Sequence, residues 1–167
     1  TIKRNLWKEY IMILSLYGQP GSGKTTLATM MRERLQHDPF WRWEPIALDG
    51  DSVRKLFKNF QYGREGRYQN IRNINAIATH HDNFSENDVI ISAVNPYAEL
   101  RKELKENNKV LEVLLITSRD LRKEYHIKEF ENGEPDLIIN TDEAITDSYK
   151  RLEKLCAAFL GLAITKN

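Results

Sequence analysis

Between Gly18 and Thr25 the chain reads GQPGSGKT, which meets the G-x-x-x-x-G-K-[ST] pattern of a phosphate-binding loop at every defined position. The pattern demands particular neighbours: a buried strand leading in, and a helix leading out whose free N–H groups and dipole face an anion. Both are present. Ile11 to Leu16 is an apolar run short enough for a strand buried on both faces. Thr26 to Gln36 places Leu27, Met30, Met31 and Leu35 at offsets zero, three, four and eight, one apolar stripe of a helix. Glycines at 18, 21 and 23 let the backbone bring N–H groups close to phosphate oxygens. Lys24 adds charge for β and γ phosphates, and Thr25 offers a hydroxyl to Mg²⁺. The expected nucleotide-binding set is Gly18, Gly21, Ser22, Gly23, Lys24, Thr25 and Thr26, with ATP and Mg²⁺ as cofactors. The bland alternative is a glycine-rich turn without a ligand.

The rest of the chain repeats the alternation of strand and helix. Strands are expected at Pro45 to Leu48, Val89 to Val94, Val110 to Ile116 and Asp136 to Asn140. Helices are expected from about 69 to 84 with Ile71, Ile74 and Ala78 inward, and from Asn95 as N-cap and Pro96 as first residue to about Asn107 with Leu100 and Leu104 inward. Two more are expected from about 118 to 131 and from about 143 to 162, the last carrying Ile145, Tyr149, Leu152, Cys156 and Phe159 on one face. This predicts an α/β three-layer fold, a five-stranded parallel sheet with right-handed crossovers and the phosphate-loop strand central, in one domain of 167 residues.

Charge narrows the partners. With 25 basic against 24 acidic residues the net charge is +1, so no global field favours nucleic acid or an anionic membrane. No apolar run approaches the roughly 18 residues that span a bilayer. The single cysteine, Cys156, falls in an apolar helical register and reads as a buried thiol in a reducing compartment, which places the protein in the cytoplasm. Residues 1 to 10 read as a lead-in, with Leu6 and Trp7 against the sheet. Phe40, Trp41 and Trp43 read as core caps or an interface, with base stacking as the alternative.

Ligands of open parallel sheets gather beyond the carboxyl ends of the strands, where Asp49 and Asp51 follow the second one. They are the candidate Mg²⁺ and acceptor-side carboxylates, with Asp51 as general base toward an acceptor hydroxyl; Asp51 also suits a helix N-cap. In the segment 57–73, Arg64, Arg67 and Arg72, with Arg54 before them, can each pair with an oxyanion or lie solvated on a helix face, and Tyr62 can stack on a ring. His80 and His81 read as capping or surface groups.

Together these motifs resemble one family, the adenylylsulfate (APS) kinases. The resemblance rests on GQPGSGKTTLA at 18 to 28, LDGDSVR at 48 to 54, the series Tyr62, Arg67, Asn70-Ile71-Arg72, IISAVNPYAELR at 90 to 101 and Glu112-Val113. It implies transfer of the γ phosphate of ATP to the 3′-hydroxyl of adenosine 5′-phosphosulfate. It makes Asp51 the catalytic acid beside Mg²⁺, sets Arg54, Arg67 and Asn70 against the phosphosulfate, and puts Tyr62 where the family has a stacking Phe. Catalytic roles are therefore expected of Asp51 and Lys24, metal contacts of Thr25 and Asp51, and acceptor contacts of Asp49, Arg54, Tyr62, Arg67 and Asn70. Two departures stand out. Asn95 replaces the family's serine before Pro-Tyr, and the family's lid motifs are missing from a shortened interval between Thr117 and Pro135, where Arg119, Arg122 and Lys123 can form a reduced lid. The expected partner is a small anionic acceptor, a nucleotide first; no nucleic acid and no membrane are expected. The alternatives are the same transfer to another anionic acceptor or a sugar, and a nucleotide-binding regulatory module. A homodimer is carried as an expectation without an assigned surface.

Overall fold

The computed structural model describes residues 12–37, 45–85 and 87–159. The lead-in with Leu6 and Trp7, and the aromatics Phe40, Trp41 and Trp43, lie outside the described residues.

Five strands form one parallel sheet: β1 (Ile13–Tyr17), β2 (Ile46–Asp49), β3 (Val89–Ser92), β4 (Val110–Ile116) and β5 (Leu137–Asn140), in the order β2-β3-β1-β4-β5. β1 is central, as the sequence predicts. The helices are α1 (Lys24–His37), α2 (Gly50–Leu56), α3 (Arg64–Phe84), α4 (Ala98–Asn107) and α5 (Ile145–Phe159). Because side chains alternate along a strand, β1, β3 and β4 feed two cores, while β2 at one edge feeds one of them and β5 at the other edge the other. Leu14 and Leu16 of β1 join Leu27 and Met31 of α1 and Leu152 and Cys156 of α5; Ile13 joins Ile71, Ile74 and Ala78 of α3 and Leu100 and Leu104 of α4. Cys156 is buried, and burial pushes its thiol up to about 12, which suits the structural role read from sequence.

The structure corrects three local expectations. α3 begins at Arg64, well before the apolar register that starts near residue 69. Arg54 Nη1 donates to the Gln61 carbonyl (2.7 Å) and Asn59 Nδ2 donates to the Gly66 carbonyl (2.8 Å), docking the polar first turn on the loop before it. A Cβ at Gly66 would lie 1.9 Å from the Gln61 oxygen. α4 begins at Ala98, not at Pro96, and Asn95 is not its cap. Asn95 adopts φ 44° and passes its carbonyl to Arg101 Nη1 (2.6 Å), while Ala98 N–H is capped by the carboxylate of Glu131 (2.7 Å). A distant acid supplies the cap, so the local signal misplaces the helix start.

The third correction is the helix expected from 118 to 131. Only one 3₁₀ turn forms, Lys123–Tyr125, preceded by Arg122 in the left-handed region at φ 55°. The rest is an irregular strap with a second turn at 128–129, because its polar groups bond outward: Thr117 and Ser118 to Asp142, and Ile127 to Gln19. At its far end Tyr17 Oη donates to the Asn132 carbonyl, and Arg101 lies 4.3 Å over the Tyr17 ring and donates to the Glu131 carbonyl.

Candidate functional site

A cavity of about 1450 Å³ opens along the carboxyl edge of the sheet, and every strand delivers residues to it. β1 runs into the phosphate loop, β2 into Asp49 and Asp51, β3 into Ala93 to Pro96, β4 into the strap and β5 into Thr141.

In the loop, Gly18, Gly21 and Gly23 all have positive φ. Gly21 is also held by contact, since a Cβ there would lie 2.4 Å from the Leu121 carbonyl oxygen of the strap. Lys24 Nζ donates to the carbonyls of Gly18 (2.9 Å) and Gln19 (2.8 Å) and to Ser22 Oγ (3.3 Å). Burial, with Arg122 pushing the same way, lowers Lys24 to about 8, while Asp49 and Asp51 oppose the shift. Thr25 Oγ1 lies 3.4 Å from Ser92 Oγ.

Asp49, not Asp51, is the N-cap of α2. Its Oδ1 accepts from the N–H groups of Asp51 (3.1 Å) and Ser52 (3.0 Å) and from Ser52 Oγ (3.2 Å). Asp51, in the first turn, lines the cavity beside Asp49, so Asp49 is both cap and cavity carboxylate while Asp51 does not cap the helix. Thr25, Ser92, Asp49 and Asp51 together form a set of hard oxygen donors on one wall. That chemistry fits Mg²⁺, which takes one or two carboxylates and completes its shell with water and phosphate.

At the other end, Arg54, Tyr62, Arg67 and Asn70 line the same cavity. Arg54 is buried, packs over the Tyr62 ring at 4.7 Å and holds the 59–61 backbone. Arg67 Nε donates to Tyr97 Oη (3.0 Å), Nη1 to the Tyr62 carbonyl (2.6 Å), and Nη2 to the carboxylate of Glu129. Asn70 Nδ2 donates to the Gly50 carbonyl (3.0 Å), and its buried Oδ1 has no protein partner. The four arginines therefore separate. Arg64 stacks on Tyr68 and Tyr97 and Arg72 on Tyr68, and neither lines this cavity. His81 Nδ1 lies 3.3 Å from Ser85 Oγ at the end of α3, in a capping position.

Several residues at or next to the cavity fall outside the sequence motifs. Gln19 makes a reciprocal pair with the strap: Nε2 donates to the Ile127 carbonyl (2.8 Å) and Oε1 accepts from Ile127 N–H (2.9 Å). Thr141 Oγ1 donates to the Ser22 carbonyl (3.0 Å) and joins Arg119, Ile145 and Ser148 on the wall below the loop. The position of Thr141 just past the last strand marks it by the same rule that marks Asp49. Ile145, expected to face the core, is 43% exposed and lines the cavity instead. Arg119 and Arg122 reach the cavity as a reduced lid would; Lys123 instead pairs with Asp120 at 3.0 Å.

The family model for adenylylsulphate kinase matches residues 10–136. The chain belongs to this family. An adenylyl-sulfate kinase of Gloeothece citriformis is 35% identical over 95 residues, covering 54% of this chain and 49% of that protein; one of Deinococcus deserti is 37% identical over 92 residues, covering 54% and 48%. The chain thus spans about half the length of the curated relatives it matches. The fold is shared with an APS kinase of Mycobacterium tuberculosis solved in complex with AMPPNP and APS. That structure has a TM-score of 0.74 at 21% identity, over 87% of this chain and 97% of that one. Among the described residues no helix is long and apolar enough to cross a membrane.

Proposed function

We propose that this chain is a single-domain kinase that transfers the γ phosphate of ATP to the 3′-hydroxyl of adenosine 5′-phosphosulfate. The observation that carries the reading is one cavity lined together by the phosphate loop, by Arg54 and Arg67 and by the carboxylates of Asp49 and Asp51. Lys24, Ser22, Thr26 and the amides of the glycine loop hold the triphosphate. Asp51 orients the acceptor hydroxyl and accepts its proton as the oxygen attacks phosphorus; the bond to the β-phosphate oxygen breaks and ADP leaves. Arg54, Arg67 and Asn70 hold the acceptor's anionic group, and Tyr62 flanks its ring. Asp49 fixes the first turn of α2 and with it Asp51.

Thr25 and Asp51 would hold Mg²⁺, which neutralises phosphate charge when bound. The strap stands where the family has a longer lid, and its Leu121, Tyr125 and His126 line the cavity beside the loop. A cytoplasmic setting is supported by the single buried thiol and the absence of a membrane-spanning helix among the described residues.

The test is ADP release from Mg-ATP with adenosine 5′-phosphosulfate, other nucleoside 5′-phosphates and simple sugars, beside Lys24→Ala and Asp51→Asn. Adenosine 5′-phosphosulfate should stimulate release strongly. Lys24→Ala should abolish it, and Asp51→Asn should cut transfer by about 10²- to 10⁴-fold while ATP still binds. Stimulation by another acceptor alone would replace the substrate; full turnover by Asp51→Asn would remove Asp51 from the reaction.

A further inference from the structure

Arg67 stands at the acceptor end of the cavity, yet its guanidinium already has three partners. The bonds to Tyr97 Oη and the Tyr62 carbonyl aim the group. The third, to Glu129, opposes its charge. Glu129 belongs to the strap, 62 residues further along the chain than Arg67. The strap is pinned on both sides of it: Ile127 through Gln19, and Glu131 through the Pro96 carbonyl, Ala98 N–H and Arg101. The Glu129 side chain is 41% exposed, so it can rotate into solvent without lifting the strap.

We propose that Glu129 is a resident counter-ion that an anionic acceptor must displace from Arg67, so that this one side chain sets both the affinity and the charge requirement of the acceptor end. The inference rests on the reading of Arg67 as an acceptor contact. A carboxylate and a phosphate or sulfate oxygen compete for the same Nη2 edge, and two anions there would repel each other. A neutral hydroxyl lacks the charge to take the place of a carboxylate, so the pair disfavours uncharged acceptors, a repulsive element of specificity. Opening a partly exposed ion pair costs little, which keeps the exchange reversible.

The test measures the KM for adenosine 5′-phosphosulfate in wild type, Glu129→Gln, Arg67→Ala and the double variant. Glu129→Gln keeps the side-chain shape and should lower KM about two- to fivefold, the range of a partly exposed ion pair, with kcat unchanged and the gain shrinking as salt rises. Arg67→Ala should raise KM, and Glu129→Gln should add nothing in that background. An unchanged or raised KM in Glu129→Gln, with Arg67→Ala still impaired, overturns the counter-ion and leaves the acceptor site standing. Tightening that persists without Arg67 overturns it as well, since a general field effect would explain it. No effect of Arg67→Ala removes Arg67 from the acceptor site, which is a failure of the underlying reading.

Discussion

Lys24 shows how a residue legible in the sequence acquires its chemistry from its surroundings. The motif places the ammonium in the loop, but burial and Arg122 are what hold it near 8. A bound triphosphate would favour the charged form and raise that value. Above about pH 8, ATP binding should therefore take up a proton, and affinity should fall as pH rises further. Calorimetric titration in buffers of different ionisation enthalpy reads the uptake directly, and Lys24→Ala should abolish it. The linkage in the unliganded protein has the opposite sense. Between about 8 and the ordinary 10.5 the folded chain binds fewer protons than the unfolded one, so this group's contribution to stability rises with pH across that window. Asp49 and Asp51 make a related point: the sequence marks both as acids past a strand, while only the fold shows that Asp49 rather than Asp51 caps α2 and that both line the cavity.

Among elements, the strap over 117–136 departs most from its sequence pattern. Its composition reads as a polar helix, and its structure is a single 3₁₀ turn in an irregular segment clamped to the phosphate loop. Gln19 occupies a position the loop motif leaves undefined, so the motif gives no hint of this clamp. Gln19→Ala would remove both bonds and leave the half-buried Ile127 amide and carbonyl without this partner. Stability should fall by about 1–2 kcal/mol, and trypsin should cut sooner at Arg122, Lys123 or Lys128. The KM for ATP should rise, since the strap would no longer be seated against the loop. Equal proteolysis of wild type and variant would show that the clamp does not seat the strap. By contrast β1, β3 and β4 follow their apolar pattern closely, because both of their faces meet a core directly.

Across the whole molecule, the edge of the sheet opposite the cavity carries its own titrating group. Asp88 precedes β3, is buried, and accepts a bond from Met12 N–H (2.9 Å). Burial raises its pKa to about 6, against a partial lowering by that N–H. Between about 4 and 6 the folded chain therefore binds more protons than the unfolded chain, and stability falls as pH rises through that window. Asp88→Asn keeps an acceptor for Met12 without the charge. Its thermal midpoint relative to wild type should rise from pH 4 to pH 7 by an amount on the order of 2 kcal/mol of stability. A constant difference would mean that Asp88 stays charged throughout.

By itself the sequence determined the strand and helix alternation, the central place of β1, the phosphate loop and the carboxylates after β2. Each follows from local periodicity or from a motif that draws its meaning from adjacent residues. Tertiary structure decided which arginines reach the cavity, where α4 starts, and how the strap is seated. Those outcomes depend on partners far apart in the chain, such as Gln19 with Ile127 at 108 residues, Ser22 with Thr141 at 119, and Arg67 with Glu129 at 62. No local pattern encodes such pairs. They arise only when a parallel sheet brings the carboxyl ends of all five strands to one edge, where buried polar groups must find each other.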